Sequence, residues 1–422
     1  MNGFRFVHAA DLHLGSPVGG LDGAPPTLRE RFAEASYRAL ENIVDLCLAE
    51  RADFLVVAGD VYDTADSSLR AQVRLKEQLA RLAAAGIPAY IAHGNHDHCG
   101  GVRADLDWPP GVHFFPPGDV AGYTVRREGR ELARVLGISY PRAAVHENYA
   151  KRLRHDGPLY GVAVLHANVG ADPSHGNYAP CRVEDLVDTG CHYIALGHIH
   201  AGRIVHRERP WAIYPGNPQG RNPKETGPHG CYLVEVDGSG WASPRFVATD
   251  VVRWEHVELA IDGLASEQEL IDRLGLALAD LLAQAEGRDV IARVTLTGRG
   301  PLHNRLRRKG VVDDLLEEMR RSLGEDAEGG RFPVCWVESI RCRTQPDLDE
   351  ARLLQSDSLV GDFLRLFEDP SLHPSLEEAL APLFQHARAR RYLAMPQGDE
   401  LAELLAQARQ LGIDLLVGEE GE

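Results

Sequence analysis

Five short stretches carry residues able to do chemistry: DLH at Asp11 to His13, GDVYD at Gly59 to Asp63, GNHD at Gly94 to Asp97, His166 in LHAN, and GHIH at Gly197 to His200. Mixed imidazole and carboxylate ligands suit a hard or borderline divalent metal, and two adjacent metals need a carboxylate to bridge them. Asp60 is the natural bridge. Asp11 and His13 supply one metal, Asn95 offers a neutral carbonyl oxygen to the other, and His166, His198 and His200 complete the shells. Two metals about 3.5 to 4 Å apart activate water at neutral pH and grip a phosphoryl group for in-line attack, so the implied reaction is phosphoester hydrolysis. His96 need not be a ligand, which leaves it to donate a proton to the leaving oxygen, with Asp63 orienting it through a hydrogen bond. Asp97 is read as a brace for its loop.

Each stretch follows an apolar, β-rich run (FRFVHAA, FLVVAG, PAYIAHG, YGVAVLHA, YIALGHIH), and strand ends are where α/β sheets place their ligands. A lone DLH or GHIH is a weak signal, but five in order behind five strands is a strong one. His8, His93, His98, His113, His175, His192 and His206 lie outside this pattern and are read as structural, and Cys99 as incidental.

The first 250 residues alternate strands and helices, as an α/β fold does. Thr27 to Glu50 reads as one helix with Leu28, Phe32, Ala35, Ala39, Ile43 and Leu46 on one face, and Ser67 to Ala85 as another, ended by Gly86 and Pro88. ARVLGISY, YGVAVLHA, YIALGHIH, WAIYPGN, CYLVEVD and PRFVATD read as short strands of a second sheet. From Val251 the pattern becomes β-α-β-α-β, with helices near Ser266 to Glu286 and Val311 to Leu323, as far as Pro346. Beyond it, amphipathic helices are expected at Leu353 to Phe367, Leu376 to Tyr392 and Glu400 to Leu411, with IDLLV the one possible strand. The expected division is a phosphoesterase domain at 1–250, a capping domain at 251–346 and a helical region at 347–422.

A chain of 422 residues has room for two or three domains. Its apolar runs fall short of the roughly 20 residues of a membrane helix, and MNGFRFVHAA enters a strand without a leader pattern, so a cytoplasmic protein is expected. Seven cysteines, odd in number and without a CxxC pair, suit reduced thiols rather than a disulfide framework. Net charge is −17, with 25 Lys+Arg against 29 Asp+Glu in residues 1–250 and 20 against 33 thereafter, whereas 15 of the 19 histidines lie in the first part. Such a chain is not an obvious nucleic-acid binder, and any such role must rest on local basic groups and on metal ions. Two places offer them: Gln219, Arg221, Lys224 and His229 in a glycine-rich loop, and Arg305, Arg307, Arg308 and Lys309 in RGPLHNRLRRK. Both read equally well as solvated loops, and Arg126, Arg127, Arg130 and Arg134 as ordinary surface. The chain has no GxxxxGK[ST], so an ATP-driven step would need another protein.

The motifs resemble the calcineurin-like metallophosphoesterase superfamily. Within it, DLHLGSP, GDVYDTADSS, GNHD, LHAN, GHIH and YPGNPQGRNPKETGPHG are similar to the DNA double-strand-break repair exonucleases of the SbcD type, above all to shorter bacterial members. Strong motifs cover roughly residues 5 to 235, and the remainder matches only in arrangement. The resemblance implies a four-layer αββα sandwich with the metals at one edge, then a small α+β capping domain and a helical C-terminal region. It implies Asp11, His13, Asp60 and His200 around one metal and Asp60, Asn95, His166 and His198 around the other, with Mn²⁺ as the metal, although iron or zinc would suit the same shells. It also implies 3′ to 5′ exonuclease and single-strand endonuclease action on DNA, and His96 as the transition-state partner. The partners it implies are a coiled-coil ABC-type ATPase, held through C-terminal helices, and a second copy in a homodimer. Some family members carry His at the place of Asp63. Two rival readings stay open: a phosphoesterase acting on a nucleotide, phosphoprotein or lipid intermediate, and a DNA-end-binding scaffold with structural metals. Against the first stand the DLHLG loop and the extra C-terminal residues, and against the second the retention of His96.

Overall fold

A computed structural model describes residues 3–64, 68–101, 104–173, 175–328, 332–347, 350–369, 372–385, 395–396 and 398–417. The chain forms two compact units, one made of Met1–His256, Leu278–Arg293 and Arg320–Glu338, the other of Val257–Ala277, Val294–Met319 and Ser339–Glu422.

In the first unit, β1 (Phe4–Ala9), β2 (Phe54–Ala58), β3 (Ala89–Ala92) and β4 (Val112–Phe114) run parallel. Strands β5 (Ala121–Arg127), β6 (Arg130–Gly137), β7 (Tyr160–His166), β8 (Tyr193–Gly197), β9 (Arg203–Arg207) and β10 (Trp211–Tyr214) form a second sheet in the order β5-β6-β7-β8-β10-β9. The chain then returns to the first sheet with β11 (Gly230–Val236) and β12 (Ala242–Ala248), giving the order β12-β11-β1-β2-β3-β4. CYLVEVD and PRFVATD therefore do not belong to the second sheet. The reason is the free edge of β1: β11 pairs with it antiparallel from Phe4↔Val236 to His8↔Tyr232, which satisfies backbone groups that would otherwise be open.

The apolar alternation explains the layers. Phe6, Phe54 and Val56 of one sheet and Tyr160, Val162 and Tyr193 of the other fill one core, with Phe6 edge-on to Tyr193 at 5.1 Å between ring centroids. On the outer face of the first sheet, Val7, Leu55, Val57 and Leu233 pack against α2 (Ala35–Ala49) and α3 (Leu69–Ala84). The outer face of the second sheet is covered by Tyr149, Leu153 and Leu186, the last on α4 (Val183–Val187). This is the αββα sandwich. The expected helix from Thr27 is two helices, α1 (Pro26–Ala33) and α2, joined at Glu34. Glu34 is held from outside by Arg70 and Arg74 of α3, and α1 turns to bury Leu28 and Phe32 with Trp254 and Trp336. Ser68 caps α3 by accepting from the Ala71 N–H, while Ser67 lies outside the described residues.

The later elements follow the expected order: β13 (Val252–Ala260), α5 (Glu267–Gln284), β14 (Asp289–Thr297), the short α6 (His303–Leu306), α7 (Val311–Glu328) and β15 (Cys335–Cys342), with a three-stranded sheet ordered β13-β14-β15. The elements that follow among the described residues are helices: α8 (Glu350–Leu354), α9 (Leu359–Glu368), α10 (Leu372–Gln385) and α11 (Asp399–Val417). IDLLV is the last turn of α11 and not a strand, because Ile413 packs with Val360 and Leu364 of α9. The expected helix end at Tyr392 falls outside the described residues. Among the described residues no helix is long and apolar enough to cross a membrane.

Candidate metal centre

The five stretches sit at the carboxyl ends of β1, β2, β3, β7 and β8, and the chain turns there through strained backbone. Asp11 (φ 52°), His13 (φ 42°), Asp60 (φ 47°) and His198 (φ 106°) all occupy the left-handed region that non-glycine residues avoid. Hydrogen bonds hold these turns: the His198 N–H donates to both oxygens of Asp11 at 3.0 Å, and the His96 N–H to Asp60 Oδ1 at 2.9 Å. Asp97 is a buried brace, accepting from the Val61 N–H at 3.0 Å and the Gly94 N–H at 2.7 Å, with His93 Nδ1 at 2.8 Å. Gly94 is required by close approach, since a Cβ there would lie 2.3 Å from Asp60 Oδ1 and 2.7 Å from His166 Nε2.

Four imidazoles enter the cluster, and each has one ring nitrogen on an acceptor outside it. His13 Nδ1 lies 3.2 Å from Asp63 Oδ1, His166 Nδ1 3.0 Å from the Ala58 carbonyl, His198 Nε2 2.7 Å from the Gly176 carbonyl and His200 Nδ1 2.9 Å from Glu225 Oε1. Such acceptors keep the proton on the outer nitrogen and leave the lone pair on the inner one. The inner nitrogens converge. His13 Nε2 and His200 Nε2 are 3.2 Å apart, His166 Nε2 is 3.4 Å from Asp60 Oδ2, and the Asn95 carbonyl oxygen is 3.0 Å from His166 Nε2 and 3.1 Å from His198 Nδ1. Lone pairs facing one another at these distances repel, so the donor set fits cations between them.

The electrostatics agree. Burial pushes His13 and His166 down to about 4 and His198 to about 3, so all three are neutral at neutral pH, as a ligand must be. Burial and the neighbouring Asp60 raise the Asp11 carboxyl well above its usual range. Asp63 is held at about 2, first by its hydrogen bond with His13. Burial works against the charge on Glu225, but His200 and Arg221 outweigh it and keep that carboxyl below the ordinary range. Three groupings of close ligand atoms result: Asp11, His13 and His200; Asp11, Asp60 and His166; and His13, Asp63 and His96.

Asp11, His13, Asp60, Asn95, His166, His198 and His200 are thus brought together, with His96 exposed beside them, its ring 5.0 Å from that of His13. Asp63 differs from expectation: its main-chain carbonyl, 3.0 Å from His96 Nδ1, orients His96, while its carboxylate is taken up by His13 and Arg221. Two expected phosphate contacts are corrected. Gln219 is buried, accepting from the Val251 and Val252 N–H groups and donating to the Val252 carbonyl, and His229 is buried with Nδ1 3.1 Å from the Asn217 carbonyl. Lys224 is exposed, whereas Arg221 turns inward. Arg305, Arg307, Arg308 and Lys309 are exposed residues of the second unit, Arg305 paired with Glu267 at 2.7 Å.

Several other histidines make structural contacts, such as His8 with Tyr193 Oη and His206 with the Pro210 carbonyl. His175 is not simply so: its ring lies 5.4 Å from that of His198 and 5.1 Å from that of His200. The residues missed by sequence reasoning are the outer acceptors. Glu225 had a signal, a lone carboxylate among the cations of the loop after GHIH, whereas the Ala58 and Gly176 carbonyls are main-chain groups that no residue type announces.

Comparison with known proteins gives two family matches: calcineurin-like phosphoesterase over residues 4–202, and the middle domain of metallophosphoesterase YhaO over residues 254–345. The chain is similar to the uncharacterized metallophosphoesterase YhaO of Bacillus subtilis, 34% identical over 406 residues, which are 96% of each chain. It is also similar to the DNA double-strand break repair protein Mre11 of Aeropyrum pernix, 30% identical over 228 residues, covering 50% of this chain and 53% of that one. The SbcD component of the nuclease SbcCD of Bacillus subtilis is 25% identical over 260 residues, covering 53% and 63%.

Proposed function

Because the chain belongs to the calcineurin-like metallophosphoesterases, and is thereby a metal-dependent hydrolase of phosphoesters, we propose that its substrate is DNA. In this reading it is a two-metal phosphodiesterase of DNA repair, a 3′ to 5′ exonuclease with single-strand endonuclease activity. The observation that carries the two-metal part is the set of four imidazoles with outward protons and inward lone pairs, closed around Asp11, Asp60 and Asn95.

Asp11, His13, Asp60 and His200 would hold one cation and Asp60, Asn95, His166 and His198 the other, with Mn²⁺ preferred and iron or zinc admissible to the same donors. Bound there, the pair would neutralise the phosphoryl oxygens and lower the pKa of the attacking water. His96 donates Nδ1–H to the Asp63 carbonyl, which leaves Nε2 for the leaving oxygen of the substrate.

What supports DNA as substrate is similarity to proteins named as a DNA repair protein and as part of a nuclease. The exposed cations Lys224, Arg307, Arg308 and Lys309 suit contact with backbone phosphates. We place the phosphoesterase domain at 1–250, the capping domain at 251–346 and a helical partner-binding region at 347–422. A coiled-coil ABC-type ATPase would dock on exposed Leu359 and Leu366 of α9 and Leu404, Leu411 and Leu415 of α11, and a homodimer is part of the same reading. Seven cysteines, odd in number and without a CxxC pair, suit the reducing cytoplasm.

The test is purified protein with Mn²⁺ given labelled duplex DNA, single-stranded DNA and a chromogenic phosphodiester. Shortening of duplex from its 3′ ends supports the reading. Turnover of the small ester without DNA cleavage moves the protein to another phosphoesterase substrate, and DNA binding with no hydrolysis at all supports a scaffold.

A further inference from the structure

The loop between β10 and β11 turns its charged groups inward. Arg221 Nη1 donates to Asp63 Oδ1 at 2.9 Å and to Ser16 Oγ at 3.3 Å, and its Nη2 lies 3.6 Å from Glu225 Oε1. Glu225 uses both oxygens: Oε1 accepts from His200 Nδ1 at 2.9 Å, and Oε2 accepts from Asn217 Nδ2 at 2.9 Å and from the Arg221 N–H at 2.8 Å. One guanidinium therefore joins the two carboxylates behind His13 and His200. The outer nitrogens of His166 and His198 make their hydrogen bonds to main-chain carbonyls, those of Ala58 and Gly176, with Asp11 Oδ1 farther off at 3.7 Å from His166 Nδ1.

This difference has a chemical consequence. A carboxylate on the far side of an imidazole makes it a more basic ligand than a neutral carbonyl does, and it adds negative charge near the cation. Both carboxylates serve the same side of the cluster, the side of Asp11, His13 and His200. Arg221 is itself cationic and does not favour a metal through space, so its contribution is geometric. It holds Asp63 and Glu225 against the two rings.

We infer that Arg221 and Glu225 are positioning residues that fix His200 and, through Asp63, His13, and so make the Asp11–His13–His200 position the tighter of two unequal cation positions. The inference rests on the two-metal reading above. It assigns the inward part of the loop a task distinct from phosphate contact, which within this loop falls to exposed Lys224. Filling would be ordered, the carboxylate-backed position first and the carbonyl-backed one at higher metal concentration.

Glu225→Gln is the direct variant, because an amide cannot accept from His200 and from the Asn217 and Arg221 donors at once. Asp63→Asn disturbs the same position from a different segment and stays informative if the loop variant misfolds, which circular dichroism of the metal-free protein would reveal. Full-length metal-free protein is titrated calorimetrically with Mn²⁺ alone. Wild type is expected to bind two equivalents of separable affinity, Glu225→Gln and Asp63→Asn to weaken the tighter one by about 10- to 100-fold, and Asn95→Ala to remove only the weaker one. Thr226→Ala, an exposed neighbour in the same loop, is expected to match wild type. The inference is overturned if folded Glu225→Gln and Asp63→Asn bind both equivalents like wild type, if they weaken only the second, or if Thr226→Ala loses as much. Fewer than two equivalents in wild type defeats the two-metal reading itself, and the inference with it.

Discussion

At the scale of single residues, the cluster is organised by where each imidazole keeps its proton. His96 differs from the other four: it stands at the edge of the cluster, with Nδ1 on the Asp63 carbonyl and an exposed ring. Replacing it with Ala is expected to lower kcat by about 10²- to 10⁴-fold, the ordinary contribution of a general acid, while Mn²⁺ stoichiometry stays at the wild-type value. Metal analysis of the same preparation checks this, and loss of metal would show His96 to be a ligand. Asp97 makes the opposite prediction. Its loss strands two buried N–H donors and His93 Nδ1, so Asp97→Ala should cost about 3 kcal/mol or more in urea unfolding of the metal-free protein. The inner donors were legible because a metal restricts residue type. Their outer partners were less so, since Ala58 and Gly176 act through carbonyls and Glu225, marked in the sequence merely as a lone carboxylate among cations, is tied to His200 by its 2.9 Å approach.

At the scale of elements, strands deliver the candidate ligands and glycines let the strand ends meet. Gly94→Ala would drive a methyl group against Asp60 and His166, so both cation affinity and hydrolysis should collapse, although β3 and its pairing with β2 and β4 are untouched. Retained Mn²⁺ binding in that variant, measured by calorimetry, would mean the close approach is not required. The apolar runs before each motif announced β1, β2, β3, β7 and β8, but apolar alternation says nothing of which sheet a strand joins. The placement of β11 beside β1 was therefore invisible: Leu233 and Val234 read alike in either sheet, and only the open edge of β1 decides. The break at Glu34 was hidden for a similar reason. The helical period continues across it, and the turn is set by Trp254 and Trp336, distant in sequence. Gln219 and His229 misled because polar residues in a glycine-rich loop usually face water, whereas these satisfy main-chain groups inside.

At the scale of the whole molecule, the chain forms two compact units, and the cluster belongs to the first. Cations that bind only the folded state stabilise it by about 2.7 kcal/mol per site at a concentration one hundred times Kd. Calorimetric unfolding is therefore expected to show Mn²⁺ raising, and chelator lowering, the temperature of the unfolding transition that includes the cluster. An unfolding temperature that does not respond to Mn²⁺ would mean that the folded cluster binds no cation. The net charge of −17 also bears on function, since attraction of a polyanion then depends on bound cations and on local basic groups. The central claim is that seven side chains at five strand ends form one centre for two metals. Anomalous diffraction from crystals grown with Mn²⁺ tests it most directly. The account predicts two peaks about 3.5 to 4 Å apart on either side of the Asp60 carboxylate, one beside Asp11, His13 and His200 and the other beside Asn95, His166 and His198. A single peak, or peaks away from Asp60, would contradict it.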